Sequence, residues 1–304
     1  MEYQRPSHKF SYAIPFAIFA SLLIALMGAA AKILSSETTT EMMIFWRNGV
    51  GLLIQLPLLF YSSRKGIFSE ILKPKEWKVL LIRGVTSYFT TYLFFFSLQY
   101  LHLTSTTLLF NTTTFFIPII ALIWMKIQIA HRLWWAIGTA FLGIIFVLHP
   151  TENLFQPASL IALASGILGA ISFLSLRLAH YSDTTTRNMF YVFVIGMAIA
   201  GIWTLFTFEK SWCHLNMHTI ALMATLGLFY FCYQACLNGA VRFAPVRLIS
   251  TFLFCSVIFS IILDTMIWKT PIEMSTMIGF ALIVIGAVLK LLLYPEDDYK
   301  IKGK

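Results

Sequence analysis

Charged residues are the scarcest component of this 304-residue sequence. Asp, Glu, Lys and Arg make up 12% of it, whereas 59% is hydrophobic. A soluble globular domain carries about 25% charged residues, so this composition excludes an ordinary soluble enzyme and indicates an integral membrane protein. The 13 acidic residues leave a net charge of +9. Because basic residues gather in the cytoplasmic loops of membrane proteins, this excess does not predict a nucleic-acid partner.

Cysteine and the common catalytic motifs are also rare. Of four cysteines, only Cys213 falls in a predicted loop, so no disulfide framework is expected. Cys213 stands beside His214 and His218 in "CHLNMH", but nothing nearby completes a metal site. The sequence has no G-x-S-x-G, P-loop, H-E-x-x-H or paired C-x-x-C motif. We therefore expect no metal and no cofactor, and any transport would be driven by an ion gradient or by exchange.

Long hydrophobic runs, in contrast, fill the sequence. About 20 apolar residues are needed to cross a bilayer as a helix. Ten such spans are predicted, at residues 12–34, 42–62, 79–100, 105–127, 131–149, 159–180, 187–208, 218–238, 246–268 and 274–294. The predicted fold class is therefore an all-α integral membrane protein with ten transmembrane helices, and the lipid bilayer is an expected partner.

Lysine and arginine are distributed unevenly between the connecting loops. They concentrate in the N-terminus, in alternate loops such as 63–78 and 177–188, and in the tail, whereas loops 35–41 and 150–158 have none. Because positively charged loops stay in the cytoplasm, both termini are predicted to be cytoplasmic. The expected location is a bacterial cytoplasmic (inner) membrane.

The two halves of the sequence resemble each other at a constant offset. Shifted by 143 residues, "AIGTAFLGIIFVL" (136–148) falls on "GFALIVIGAVLKL" (279–291), and Gly84 meets Gly227. Because each half holds five spans, an odd number, the second half is predicted to enter the membrane inverted. Inverted repeats recur in secondary transporters. The predicted domains are two five-helix repeats and a polar cytoplasmic tail, at 1–149, 150–294 and 295–304.

A family resemblance is carried by three stretches: "FWRNGVGLLIQLPLLF" in the second span, "RGVTSYFTTYLFFFSLQYLHLTSTTLLFNTTTFFIPIIALIW" across the third and fourth, and "AVRFAP" before the ninth. Together with the glycine-spaced fifth and tenth spans, they resemble EamA-type permeases of the drug/metabolite transporter superfamily. "LKPKEWKVLLIRGV" and "FFFSLQYLHLTSTT" are also similar to S-adenosylmethionine transporters of intracellular bacteria. The family often has an acidic residue soon after the fourth and ninth spans. This chain has only Glu273 there, and it stands late.

Polar residues share one face of several predicted spans, at the i, i+3, i+4 spacing of a helix. Each one alone has a structural explanation, since Ser, Thr and Asn hydrogen-bond between membrane helices and Tyr anchors helix ends at the interface. Similar faces occur in the third and eighth spans, which correspond across the repeat, and this favours a cavity. The predicted substrate-binding residues on these faces are Tyr88, Thr91, Tyr92, Asn111, Thr114, Tyr230, Gln234 and Asn238.

Few charged residues fall inside the spans. Arg47 lies five residues into the second span, and a charge at a bilayer centre costs about 2.5–3.5 kcal/mol. With Lys32, near the outer end of the first span, it is predicted to bind a substrate carboxylate or phosphate, balanced by Glu41 and Asp264 as coupling or gate residues. The alternative is a structural ion pair that closes the outer end. Arg83 lies near a cytoplasmic end and is predicted to snorkel.

These features together predict a secondary transporter rather than an enzyme. The expected substrate is a small polar metabolite, such as S-adenosylmethionine, S-adenosylhomocysteine or an amino-acid-like compound, carried by a monomer or homodimer. The alternative is a membrane-embedded enzyme acting on a lipid-linked substrate, which would need acidic or histidine residues clustered at one membrane face. A non-transporting packing subunit would have no use for the paired polar faces.

Overall fold

Every secondary-structure element in the described part of the chain is a helix. The computed structural model describes residues 10–63, 74–125, 131–147, 157–206, 216–244, 246–270 and 274–293. Cys213, His214, Glu273 and the tail at 295–304 lie outside the described residues. The helices are α1 Phe10–Leu34, α2 Thr40–Ser63, α3 Trp77–Ser97, α4 Leu103–Asn111, α5 Thr113–Met125, α6 His131–Val147, α7 Pro157–Ser182, α8 Thr185–Phe206, α9 Met217–Phe243, α10 Val246–Phe252, α11 Cys255–Leu263, a π-helix Asp264–Trp268, and α12 Met274–Leu293.

Eight stretches of the described helices are long and apolar enough to cross a membrane. Two of them combine shorter elements: α4 with α5 forms Leu103–Trp124, and α10, α11 and the π-helix together form Ile249–Trp268. The apolar parts of α6 and α12 are shorter, at Trp134–Phe146 and Met274–Leu289. The elements follow the order of the ten predicted spans, but only eight meet the length for spanning, so the count of ten stays a prediction.

Contacts between helices link the two halves of the chain in matched pairs. α3 packs on α7, and α1 packs on α9. α4 and α5 pack on α7, and α10 and α11 pack on α1. α2 packs on α8, and α6 packs on α12, which are elements at the same position in each half. Each contact between unlike helices therefore has an equivalent contact in which the two halves exchange roles, and the α2–α8 and α6–α12 contacts each join equivalent helices. This is the pattern expected of repeats related by a pseudo-two-fold axis.

Glycines at equivalent positions bring α6 and α12 together. A Cβ on Gly143 would lie 2.7 Å from the backbone oxygen of Gly279, and a Cβ on Gly286 would lie 2.8 Å from that of Ala136. Gly143 and Gly286 are equivalent at the 143-residue offset, as are Ala136 and Gly279, so the contact is reciprocal. Small residues of this kind let membrane helices approach closely. A larger side chain at either glycine would push the two backbones apart.

A second reciprocal pair of glycines joins the helices that surround the centre of the bundle. Gly84 on α3 faces Ile195 on α8, where an added Cβ would lie 2.7 Å from the isoleucine side chain. Gly227 on α9 faces Val50 on α2, where the corresponding distance would be 2.5 Å. The close packing of α3 on α8 and of α9 on α2 therefore rests on the two glycines that the sequence comparison had paired.

The fourth and ninth spans are each broken, where continuous helices were predicted. Thr112 separates α4 from α5 in the fourth span, and a turn at residues 253–254 separates α10 from α11 in the ninth. Hydroxyl groups near each break add hydrogen bonds to its backbone carbonyls: Thr112 Oγ1 donates to Leu109 O, and Ser256 Oγ donates to Leu253 O, both at 2.6 Å. A broken helix is tolerated at membrane depth when side chains satisfy its backbone. The breaks fall at corresponding places in the two halves.

Candidate substrate cavity

A cavity lies at the centre of the bundle, between the two halves of the chain. Its wall is formed by α1, α2, α3, α4, α7 and α9, and the space inside, counted out to its mouth, is about 680 Å³. None of its lining residues comes from α6 or α12, whose packing on each other keeps them to one side.

The cavity wall is largely apolar, with polar groups concentrated on α3 and α9. Aromatic and aliphatic side chains such as Phe94, Phe95 and Phe173 form much of it. A mostly apolar pocket with a few placed polar groups is the usual composition of a small-molecule site. The polar lining residues are Arg47, Arg83, Ser87, Thr90, Thr91, Ser172, Tyr230, Tyr233 and Gln234.

Arg47 reaches the cavity from α2. Its Nη1 donates to Thr91 Oγ1 at 3.0 Å, and its Cζ lies 3.6 Å from the ring centroid of Tyr230. A guanidinium this close to an aromatic face gains cation–π stabilisation. The side chain is only 3% exposed. Arg47 is therefore held between α3 and α9, and its Nε lies buried without a hydrogen-bond partner.

Arg83 reaches the same cavity from α3, where the sequence predicted a side chain that snorkels to the interface. The structure corrects that prediction, because Arg83 is 2% exposed and lines the cavity. Its Nη2 donates to Gln234 Oε1 at 3.3 Å, and Gln234 Nε2 in turn donates to the Tyr230 hydroxyl at 2.8 Å. Its buried Nη1 has no partner. Gln234 therefore turns the side chain inward instead of leaving it free to extend along α3.

Neither cavity arginine forms an ion pair within the described part of the chain. The ion pairs there join Lys32 with Asp264, Arg187 with Asp183, and His218 with Glu37. The contacts of Arg47 and Arg83 are with neutral groups, namely a threonine, aromatic rings and a glutamine amide. Two buried cations thus share one cavity without a carboxylate partner among the described residues.

Lys32 and Asp264 meet at one end of the bundle, here called the Lys32 end. Lys32 Nζ lies 3.5 Å from Asp264 Oδ1 and 4.5 Å from the centroid of the Trp268 ring. Asp264 Oδ2 accepts hydrogen bonds from Thr104 N and Thr104 Oγ1, both at 2.7 Å. Thr104 lies in the first turn of α4, where a carboxylate satisfies free backbone donors and the helix dipole. Asp264 thereby ties together α1, α4 and the π-helix.

Glu41 is held near the same end by an aromatic column on α3. The Tyr92 hydroxyl donates to Glu41 Oε1 at 3.1 Å. The Tyr92 ring stacks with Tyr88 at a centroid distance of 6.1 Å and with Phe96 at 6.3 Å. Tyr88 and Tyr92 are not among the residues that line the cavity, and Tyr92 instead bonds to Glu41 on α2.

Two carboxylates in equivalent turns fasten opposite ends of the bundle. Glu37, between α1 and α2, accepts a hydrogen bond at 2.6 Å from Thr219 Oγ1, in the first turn of α9. Asp183, between α7 and α8, accepts one at 3.2 Å from the backbone N of Lys75, just before α3, and also contacts Arg187. In each case the turn of one half holds the start of the third helix of the other half. The end that carries Asp183 is here called the Asp183 end.

Three predicted site residues are buried in helix contacts away from the cavity wall. Asn111 Nδ2 donates to Ser256 Oγ at 2.8 Å, and Thr114 Oγ1 donates to Ser250 O at 3.0 Å, which joins the two broken spans. Asn238 Oδ1 accepts from Asn188 Nδ2 at 3.3 Å. These contacts are the interhelical hydrogen bonds that sequence analysis had offered as the alternative.

Of the ten predicted substrate-binding residues, the structure places four in the cavity wall: Arg47, Thr91, Tyr230 and Gln234. Lys32, Tyr88, Tyr92, Asn111, Thr114 and Asn238 lie elsewhere. Sequence analysis missed Arg83, Ser87, Thr90, Ser172 and Tyr233. The spacing of Arg83, Ser87, Thr91 and Phe94 on α3 marks one helix face, and it could have identified this face beside the one that carries Tyr88 and Tyr92.

A bundle of apolar helices that encloses a partly polar cavity between two contacting halves defines a membrane transport architecture. The chain belongs to the EamA-like transporter family, whose model matches residues 11–149 and 156–292, and thus to the drug/metabolite transporter superfamily. This confirms the predicted family, and it covers both halves of the chain.

Individual relatives are distant. An uncharacterized transporter of Helicobacter pylori (strain J99 / ATCC 700824) is 20% identical over 290 residues, covering 91% of this chain and 94% of that protein. A protein of Rickettsia felis (strain ATCC VR-1525 / URRWXCal2) named S-adenosylmethionine uptake transporter is 22% identical over 285 residues, covering 90% and 91%. A protein of known crystal structure matches with a TM-score of 0.66 at 16% identity, covering 93% and 98%, and shows a shared fold.

Proposed function

We propose that this chain is a secondary transporter that moves a small polar metabolite across a bacterial cytoplasmic membrane. The observation that carries the proposal is the central cavity, which is bounded by α3 from one half and the equivalent α9 from the other. A site between two similar halves can be exposed alternately to either side of the membrane when one half rocks against the other. A monomer is sufficient for this, because both halves belong to one chain.

The proposed architecture is ten spans arranged as two inverted five-helix repeats, 1–149 and 150–294, with both termini in the cytoplasm. The paired helix contacts and the reciprocal glycines support it. In this orientation the Lys32 end faces outward and the Asp183 end faces the cytoplasm. Reporter enzymes fused after residues 38, 153 and 272 should read as outside, and those after residues 70, 184 and 300 as inside. A reversed reading at any two sites refutes the topology.

Arg47, Thr91, Tyr230 and Gln234 are the proposed substrate-binding residues that line the cavity, and Arg83 joins them. At the Lys32 end, Lys32 and Asp264 form an ion pair across α1 and the π-helix, and we propose that it is part of an outer gate. Glu41 is proposed to act there too, through its hydrogen bond to Tyr92. We propose that these contacts close that end of the bundle during transport.

S-adenosylmethionine, S-adenosylhomocysteine and amino acids are the first substrates to test. The name of the Rickettsia felis relative suggests the first of these. A carboxylate is common to all of them, and a guanidinium binds a carboxylate through two parallel hydrogen bonds. Arg47 and Arg83 both line the cavity and are the proposed partners of such a group.

The experiment is uptake of labelled compounds by proteoliposomes that contain the purified protein. Thr91→Val removes a hydroxyl from the cavity wall while keeping side-chain shape, and we expect it to lower uptake at least several-fold. Thr86→Val is the matched control, because Thr86 lies on the same helix, bonds only to its own backbone at Ile82 and Arg83, and does not line the cavity. Equal loss in both variants, or in neither, removes the cavity from the mechanism.

The same assay separates a transporter from the enzyme alternative. An enzyme acting on a lipid-linked substrate would convert a compound without accumulating it inside the vesicles. In the described residues there is no group of three or more His, Cys, Asp or Glu side chains that could hold a metal ion. Accumulation of an unmodified labelled compound inside the vesicles supports transport. Formation of product without accumulation refutes it.

A further inference from the structure

The charge inside the cavity defines a class of substrate. Arg47 and Arg83 both line it, each is almost fully buried, and each has a buried N–H donor without a partner. A desolvated cation is unfavourable unless an anion or several acceptors compensate it. Among the described residues, the groups that contact these two arginines are neutral. The compensating anion is therefore missing from the part of the chain that the structure describes.

The two arginines approach the cavity from opposite ends of the bundle. Arg47 lies about 10 Å along α2 from the Lys32 end, and Arg83 lies about 9 Å along α3 from the Asp183 end. Tyr230 and Gln234, one turn apart on α9, connect them: the Tyr230 ring packs on Arg47, and Gln234 accepts from Arg83. A ligand in the cavity therefore meets one guanidinium towards each side of the membrane.

We propose that the cavity selects organic anions, with Arg47 and Arg83 as two ligands for carboxylate or phosphate groups. This rests on the proposed transport function and adds its substrate class. A metabolite with a net negative charge supplies the missing counter-charge, whereas S-adenosylmethionine, with one carboxylate and two cationic groups, brings a net positive charge into a cavity that already holds two. Anionic metabolites should therefore be preferred over S-adenosylmethionine.

The proposal can be tested without knowing the substrate, by measuring the charge preference of the cavity directly. Ser172 lines the cavity from α7, and Ser172→Cys is close to isosteric. The variant is made in a full-length chain whose four native cysteines are replaced by serine or alanine. Purified protein is treated with two small thiol reagents, an anionic sulfonatoethyl and a cationic trimethylammonium-ethyl methanethiosulfonate. Ser36→Cys, exposed at the Lys32 end, gives the intrinsic ratio of the two reaction rates.

We expect the ratio of anionic to cationic labelling at Ser172→Cys to exceed that at Ser36→Cys by about tenfold or more, since two unit charges act on the reagent in a low-dielectric cavity. Arg47→Gln and Arg83→Gln should each lower this ratio, and Arg47→Lys and Arg83→Lys should restore it. A ratio equal to that of Ser36→Cys refutes anion selectivity but leaves transport intact. A position that reacts with neither reagent refutes both the accessible cavity and the proposed function.

Discussion

Replacing Arg47 tests most directly what a buried arginine does in this membrane bundle. Arg47→Leu removes the hydrogen bond to Thr91 and the cation–π contact with Tyr230. It also removes the cost of inserting a charge, about 2.5–3.5 kcal/mol at a bilayer centre. The protein should therefore reach the membrane in equal or larger amount.

Transport by Arg47→Leu should nevertheless fall. A hydrogen bond to a charged group contributes about 1.5–3 kcal/mol, which corresponds to roughly a 10- to 150-fold loss of affinity. The half-saturation concentration for uptake should rise by that factor once the substrate has been identified by the flux screen. The assay is initial uptake into proteoliposomes, normalised to the amount of inserted protein.

Arg47→Lys separates charge from geometry. Lysine keeps the positive charge but cannot hold a carboxylate or phosphate through a planar fork, so we expect an intermediate loss of about tenfold in affinity. Normal uptake by Arg47→Leu at normal abundance would show that the arginine has no role in transport. Loss of Arg47→Leu from the membrane would show instead that Arg47 mainly joins α2 to α3 and α9.

Two further predictions concern stability, each measured as the thermal unfolding midpoint of purified protein in detergent. Asp264→Asn should lower the midpoint by several degrees, because it weakens the carboxylate bonds to Thr104 and the ion pair with Lys32; an unchanged midpoint would contradict the capping role. Gly286→Ala should also lower it, because the new Cβ meets a backbone oxygen of α6 at 2.8 Å, whereas Gly138→Ala has open space and should leave it unchanged or raise it.

The helices and their order were predictable because the bilayer imposes a simple requirement of length and apolarity on each span. The repeat was predictable from residues that recur at one offset, such as Gly84 and Gly227, and the family from its resemblance to EamA-type permeases in stretches such as "FWRNGVGLLIQLPLLF". The orientation of α3 about its own axis, in contrast, could not be predicted from the sequence. Tyr88 and Arg83 lie on different faces, and which of them enters the cavity depends on Gln234, far away in sequence.

The helix breaks were also beyond the reach of hydropathy, because apolar runs continue across both of them. Thr112 and Ser256 supply hydroxyl groups that compensate the interrupted backbone, but threonine and serine are equally compatible with an unbroken membrane helix. Likewise, Glu37 lies in a predicted loop, and the sequence did not indicate which residue it contacts. Its bond to Thr219 exists only because α9 packs on α1.

The matched contacts between the two halves have a consequence for the synthesis and membrane insertion of the protein. α1 packs on α9 and α3 on α7, so the first helices to be synthesised lack most of their packing partners until the second half has been made. Tyr230 follows Arg47 by roughly 10 to 40 seconds at ordinary rates of synthesis. During that interval the nascent first half holds the charged Arg47 side chain in the membrane without its contact to the Tyr230 ring. The charge of Arg47 must then be solvated by the insertion machinery, or by water and lipid headgroups, until the second half has been inserted.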